Sequence, residues 1–453
     1  MAPLFSPMML DRQQVADLLA AGNLAGLRAL LEKAHPTEIA ALLEALDEDQ
    51  RVQVFNLLPD PAAADVLDES TARLTRELVD AVPSETIAGL LGVLPPDDAV
   101  GILEDVEEEQ AEEILALMEP EEAGSIKTLL TYPEDSAGRL MTTRVVTLRQ
   151  DWTVDQALAF LRSRLNGEHV LAYLYVVDEG QRLVGVLPIR SLITAPLDRK
   201  ISTLMDRQVI AVNAMFDQEH VARLVRQYDF FAVPVIDDKG RLLGIITHDD
   251  IIDVLHEEFT EDVQRFGGSQ PLDEDYLSTP VWTIFRKRAG WLLVLFVTEM
   301  LTGTVMRLFQ QELQAVVALS FFVPLLIGTG GNSGSQTTST VIRAIAMGEV
   351  SFKDTWRLLW HETRTGFLLG VLMGTVGLVR ALTWGSSLTL AVTVALSLFT
   401  IVLWANSIGS VLPALASRFK IDPAVISGPV MSTLVDATGL LIYFALAGLI
   451  IGL

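Results

Sequence analysis

The sequence predicts a multidomain chain: an all-α helical superhelix, an α/β region built from a repeated unit, and a polytopic α-helical membrane domain with five transmembrane helices. Three observations predict this. Apolar bulk and charge are separated along the chain. Half of the 453 residues are apolar, yet the net charge is −25. Residues 281–453 hold 7 acids and 11 bases, net +4, whereas residues 1–280 hold the remaining 51 acids and 22 bases, net −29. Prolines punctuate the first third at regular intervals, and residues about 136–262 contain an internal repeat.

The acidic helical domain is assigned to residues 1–132. Its breaks fall at Ala34-His35-Pro36, Leu58-Pro59, Val82-Pro83, Leu94-Pro95-Pro96 and Glu119-Pro120. Between them apolar residues recur at helical spacing, as in Ile39, Leu42, Leu43 and Leu46. Regular proline spacing predicts stacked helical hairpins forming a small superhelix. The stretch from Glu104 to Glu122 is densely acidic.

The repeat follows. One copy reads LMTTRVVTLRQDWTVDQALAFLR, then YLYVVDEGQRLVGVLPIRSLI; the other reads LMDRQVIAVNAMFDQEHVARLVR, then FAVPVIDDKGRLLGIITHDDII. Each predicts a strand, a helix, two strands around a Gly-containing turn, and a closing helix. This order resembles the paired cystathionine-β-synthase (CBS) module, a regulatory fold, with CBS domain 1 at 133–200 and CBS domain 2 at 201–248. A connecting helix and linker occupy 249–285. Ile252, Leu255, Phe259, Val263 and Phe266 fall at helical steps there, and Gly267-Gly268 forms a stop.

Composition excludes several functions. An excess of −29 repels phosphate and argues against a nucleic-acid partner, while clustered carboxylates suit divalent cations. An ordinary soluble domain would carry such charge too. There is no cysteine, so disulfides, thiolate catalysis and Cys-ligated zinc are ruled out. The six histidines form no His-Glu-x-x-His pattern. The start MAPLFSPMML is short, apolar and lacks a basic leader, so it does not read as a signal peptide, which predicts that the acidic region stays in the cytoplasm.

The membrane domain is assigned to 286–453. Five apolar segments, about 290–308, 315–345, 358–382, 388–415 and 425–451, are each long enough to cross a ~30 Å hydrocarbon layer. Arg286, Lys287 and Arg288 precede the first; Lys353, Arg357 and Arg364 cluster near the second connection; Arg418 and Lys420 lie between the last two. The opposite side shows mainly Arg307 and Arg380. This bias predicts a multi-pass inner-membrane protein, N-terminus cytoplasmic and C-terminus outside.

Polar groups inside these segments point to ions. Asp436 lies mid-span, where a carboxylate costs roughly 2.5–3.5 kcal/mol, and no Lys or Arg lies at mid-depth to pair with it. It is protonated, meets water, or meets a mobile cation. Gly428, Ser432, Asp436 and Gly439 draw a small-and-polar stripe on one helix face, opposite Leu434, Leu441 and Ile442. Helix packing explains the glycines but not the aspartate. From Gly328 to Thr340 the second span reads GTGGNSGSQTTST, which lines a wet cavity or buries against protein. It lacks the Gly-Lys-Ser/Thr ending of a phosphate loop. Asn406 adds a buried amide, serving either an interhelical hydrogen bond or a pore.

PLLIGTGGNSGSQ, LWANSIGSVLP, KIDPAVISGPV and STLVDATGLLIYF together resemble the membrane domain of MgtE magnesium channels, and the domain order is also that family's. The resemblance implies a Mg2+-selective homodimer with a pore on the twofold axis, lined by the second and fifth membrane helices. It assigns Gly328, Asn332, Gly428, Ser432 and Thr433 to the pore and permeant Mg2+ to Asp436. It makes the helix around 250–266 a plug. Regulatory Mg2+ falls to Asp97, Asp98, Glu219, Asp229, Asp249, Asp250, Asp253, Glu258, Glu261, Asp262 and Asp422. Three departures stand out. Gly428 replaces a common asparagine, His256 stands where an acid is expected on the plug, and Ser191 replaces an aspartate that typically binds nucleotide ribose. The last leaves ATP at the CBS pair doubtful.

The expected function is Mg2+ uptake shut by internal Mg2+. The ion dehydrates reluctantly and is gripped through its waters. Acids about 4 Å apart repel by roughly 4 kcal/mol at an effective dielectric near 20, so bound Mg2+ compacts the sensor. A membrane-anchored nucleotide sensor and a divalent antiporter are the competing readings; electrical recording separates them. The rank of Mg2+ against Co2+, Ni2+, Mn2+ and Ca2+ is not encoded in these patterns.

Overall fold

The computed structural model describes residues 10–164, 172–272, 276–277, 279–419, 421–423, 426 and 428–452. Residues 1–9 of the start MAPLFSPMML and the basic Lys420 therefore lie outside the described residues. The chain divides into two compact units, Met1–His256 and Glu257–Leu453.

The first unit opens with ten helices: α1 (Arg12–Ala20), α2 (Leu24–Leu31), α3 (Pro36–Ala45), α4 (Glu48–Phe55), α5 (Asp60–Asp68), α6 (Ala72–Ala81), α7 (Ser84–Val93), α8 (Pro96–Glu104), α9 (Glu108–Leu117) and α10 (Pro120–Leu129). The prolines start these helices. Pro36, Pro96 and Pro120 occupy the first position of α3, α8 and α10, and Pro59 and Pro83 cap α5 and α7. An N–H there has no intrahelical acceptor, so its loss costs little. Helices pack with neighbours two along, α3 on α5, α5 on α7 and α7 on α9, as the superhelix requires.

A single turn, α11 (Ala137–Leu140), leads into the repeat. The first copy contains β1 (Thr147–Arg149), α12 (Val154–Arg164), β2 (Tyr173–Val177), β3 (Leu183–Pro188) and α13 (Ile189–Thr194). The second contains β4 (Val212–Asn213), α14 (Gln218–Tyr228), β5 (Ala232–Ile236), β6 (Leu242–Thr247) and α15 (His248–Phe266). Each copy forms a three-stranded sheet whose first pair is parallel and second antiparallel. Both sheets shift register at the same place, Val176/Val177 and Val235/Ile236. The Tyr175 hydroxyl donates to Ala232 O at 3.3 Å across the copies.

The second copy shares one core with the superhelix, running from Val15 and Leu27 to Val235 and Val254, while the first copy has its own around Leu148, Leu174 and Leu187. Arg144 ties them further. Its guanidinium donates to Gly92 O and Val93 O, each at 2.9 Å, satisfying carbonyls at the end of α7. The division between the two units falls within α15.

The second unit holds α16 (Val281–Leu308), the short α17 (Gln310–Ala315), α18 (Val323–Ala346), α19 (Thr355–Thr383), α20 (Leu388–Arg418) and α21 (Gly428–Ile451). Among the described residues, five spans are long and apolar enough to cross a membrane, and the second begins with a 3-10 stretch, Val317–Phe322. Helix α16 starts earlier than the apolar segment suggests, because Pro280 caps a helix that begins at Val281 and already includes Arg286–Arg288. Gly366, Gly370, Gly374 and Gly377 are buried along α19, where α20 packs closely.

Candidate cation sites

Two helix starts bring acids together in the first unit. Asp97 and Asp98 occupy the first turn of α8, and Asp250 the first turn of α15. One carboxylate oxygen from each lies within 4.8 Å of the others. Asp250 accepts from Thr247 N at 3.0 Å and from the Thr247 hydroxyl. The Thr142 hydroxyl stands beside Asp97 and partly offsets the rise of its carboxyl, while Asp97 Oδ1 is buried without a donor at hydrogen-bond geometry among the described residues.

Burial pushes the Asp97 carboxyl up to about 7, and the Asp250 charge adds to this. Asp98 rises to about 8 through burial and the charges of Asp68, Asp97 and Asp250. Burial also raises Asp250, to about 6, with its Thr247 hydrogen bonds limiting the rise. Hard oxygens at this spacing can take a Mg2+ directly or through its waters. Asp68 joins them from the end of α5. Although it lies at the surface, desolvation on its inner side and the charges of Glu69 and Asp250 raise it to about 6. The sequence reading missed Asp68, since nothing local separates it from the many other surface acids.

The other sensor candidates are dispersed. Asp249 and Asp253 are exposed on α15; Asp253 is raised by partial desolvation, Asp249 and Glu69. Glu219 pairs with Arg223 at 3.0 Å. Asp229 caps α14 in the left-handed region at φ 53° and is exposed. Among the described residues, only Asp97, Asp98 and Asp250 form a group with metal-ligand spacing.

In the second unit, the end of α15 meets the start of α21. Asp422 accepts from Arg265 at 2.7 Å, and Glu261 pairs with the same guanidinium. Asp262 lies near enough for burial, Asp422 and Glu258 to raise its pKa. The Phe266 ring lies against Gly428, where an added Cβ would stand 3.5 Å away. The acids expected here are thus joined by Arg265, a basic partner that the sequence reading did not single out.

Helix α18 divides its polar run between two faces. Gly330, Gly331, Ser333, Gly334, Thr337 and Thr338 are buried, whereas Gly328, Asn332 and Gln336 are exposed at one-turn spacing. On the buried side Asn406 donates to Ser333 Oγ at 2.6 Å and Val402 O at 2.8 Å, and accepts from Thr337 at 2.6 Å. This is the interhelical role. Thr337 also reaches Glu362 Oε2 at 3.5 Å; that side chain, 15% exposed, went unnoticed in the sequence reading. Towards α21, Ser335 Oγ donates to Gly428 O at 3.1 Å and lies 3.4 Å from Ser432 Oγ. Gly428 is buried; Ser432, Thr433 and Asp436 are half-buried on α21, with the Thr433 hydroxyl turned back to Pro429 O at 3.0 Å. Asp436 has neither a hydrogen bond nor an ion pair among the described residues.

Comparison with known proteins covers most of the chain. Residues 323–446 match the family described as "Divalent cation transporter", 34–135 the "MgtE intracellular N domain", and 137–198 and 201–257 the CBS domain. "Magnesium transporter MgtE" of Thermus thermophilus is 37% identical over 438 residues, 96% of this chain and 97% of that protein. The solved "soluble part of a magnesium transporter" aligns with TM-score 0.51 at 34% identity, covering 55% of this chain and 97% of that one. The "cytosolic domain of the Mg2+ channel MgtE in complex with ATP" aligns with TM-score 0.52 at 36% identity, covering 54% and 100%.

Proposed function

The chain belongs to the MgtE family of divalent cation transporters, and on that premise we propose that it is a homodimeric Mg2+ channel closed by Mg2+ bound to its acidic domains. One observation carries the reading most strongly. Asp436 is an uncompensated carboxylate in a membrane-spanning helix, beside a helix whose exposed face is Gly328, Asn332 and Gln336. Lipid cannot solvate that face. A second copy across a twofold axis would cover it and enclose water.

In such a pore two Asp436 carboxylates supply charge. Hydroxyls and carbonyls at Gly428, Ser432 and Thr433, with the Asn332 amide, hydrogen-bond to the waters of a Mg2+ that keeps its octahedral shell. The basic residues flanking the spans support an inner-membrane orientation with the N-terminus in the cytoplasm. Regulation rests on the carboxylates of Asp97, Asp98 and Asp250. Bound Mg2+ neutralises them and favours one compact arrangement of the first unit. Asp262, Glu258, Glu261 and Asp422 form the second acidic patch, at the inner end of α21.

The test is Mg2+ flux into liposomes holding the purified protein, with Co2+, Ni2+, Mn2+ and Ca2+ compared. Asp436→Ala is expected to remove Mg2+ uptake by about a hundredfold while dimer assembly persists, because the site loses its charge. Undiminished uptake by a correctly assembled Asp436→Ala protein excludes the residue from conduction.

A further inference from the structure

Helix α16 carries a second acid at membrane depth, Glu299. It lies eleven residues after Arg288 and eight before Arg307, so about 16 Å and 12 Å of helix separate it from those ends. A glutamate side chain is too short to reach either interface from there. Glu299 is exposed on the subunit, between the exposed Phe296, Val297 and Met300. It has no hydrogen bond or ion pair among the described residues.

Its depth matches that of Asp436. Gly268 fixes the level at one end of both helices: an added Cβ there would lie 2.8 Å from the Trp291 ring of α16 and 3.6 Å from Pro429 of α21. At the other end Phe309 and Phe444 stack with centroids 4.8 Å apart, so the two helices run in the same direction. Counting from the shared level, Glu299 is eight residues on and Asp436 seven, about 12 Å and 10.5 Å. The helices pack against each other directly. One turn beyond Glu299, Thr302 is 7% exposed and its hydroxyl lacks a partner among the described residues.

We propose that Glu299 is a positioning residue for transport: acting through Asp436, its negative charge at the same depth strengthens the hold of that site on a divalent cation. The inference rests on Asp436 being the ion's site. A residue that faced lipid would gain from losing its charge; a residue tuning the site would weaken cation binding when neutralised.

The experiment measures Mg2+ flux against Mg2+ concentration in liposomes containing full-length Glu299→Gln, Glu299→Met, Glu299→Asp or Asp436→Asn. Neutral Glu299→Gln and Glu299→Met are expected to raise half-saturating Mg2+ about three- to tenfold with little change in maximal rate, the size expected for one nearby charge. Glu299→Asp restores most of the affinity. Glu299→Met suits a lipid-facing position, so it assembles even where Glu299→Gln does not. Unchanged half-saturation in an assembled neutral variant, or a fall in maximal rate alone, overturns the proposal. If that occurs while Asp436→Asn still loses flux, the channel reading stands and only the role of Glu299 fails. If Asp436→Asn also transports normally, the underlying reading fails.

Discussion

Asp98 sits among Asp68, Asp97 and Asp250, and its carboxyl is raised to about 8. A carboxyl whose folded value exceeds its unfolded one holds its proton longer in the folded state. Its stabilising contribution is complete below the unfolded value of 3.8 and fades as pH climbs through the folded value. With Asp68 and Asp250 near 6, Asp97 near 7 and Asp98 near 8, this window runs from about 4 to about 8. The first unit is therefore expected to melt at lower temperature at pH 8 than at pH 5.5 without Mg2+. Millimolar Mg2+ should recover the loss at pH 8 and do little at pH 5.5, where protons already occupy the carboxyls. Asp98→Asn should raise the melting temperature at pH 8 by roughly 2–4 °C and blunt the Mg2+ effect. Scanning calorimetry at the two pH values checks this, and equal Mg2+ responses at both would refute it. Family resemblance made Asp97, Asp98 and Asp250 legible. Asp68 was not legible, because its neighbours come from helices distant in sequence. Glu299 is illegible for another reason: as a lone acid in an apolar helix, it acquires its neighbour Asp436 only when α16 packs on α21.

At the scale of elements, apolar runs and prolines carried most of the information. Pro36, Pro96 and Pro120 marked helix boundaries because their missing N–H fits one place in a helix. The repeat announced its two sheets through matching strand order. Hydropathy could not reveal which face of α18 would be buried, since Ser333 and Thr337 meet Asn406 only after α20 packs. Nor could it reveal the glycine contacts of α19. A Cβ at Gly370 would stand 2.8 Å from Phe399 O, and one at Gly374 2.8 Å from Ala395 O; both acceptors are backbone and cannot swing away. Gly370→Leu is thus expected to force α19 from α20 and destabilise the membrane domain by on the order of 2 kcal/mol or more. Size-exclusion profiles after mild heating in detergent should show early loss of the folded peak. Gly348→Ala, whose Cβ would meet nothing within 4 Å but whose φ is +72°, separates backbone strain from crowding and should cost about 1 kcal/mol. Comparable losses in both variants would count against tight α19–α20 packing as the cause.

The whole molecule is organised by charge: a net of −29 before residue 281 and +4 after it. Such an acidic half attracts divalent cations before any specific site acts. What converts attraction into regulation is a group that binds one arrangement better than another; equal affinity for both would shift nothing. Asp97, Asp98 and Asp250 fit this requirement, because they come from α8 and α15 and meet only when those helices start side by side. Separating the helices dissolves the cluster, so a Mg2+ bound there, as proposed, would favour the packed state. A protein carrying Asp97→Asn, Asp98→Asn and Asp250→Asn together loses that preference while keeping the Thr247 hydroxyl and both helix starts. In liposomes with ~10 mM Mg2+ facing the acidic domains, wild-type flux should fall about tenfold, the effect of roughly 1.4 kcal/mol of coupling, while the triple variant remains open. Trypsin should likewise cut the wild-type first unit more slowly with Mg2+ than without, and the variant at one rate in both. If Mg2+ still closes the variant, the three carboxylates are not the sensor, and the acids near Asp422 inherit that role. If Mg2+ protects wild type from trypsin without slowing flux, the ion orders the first unit but ordering does not gate conduction.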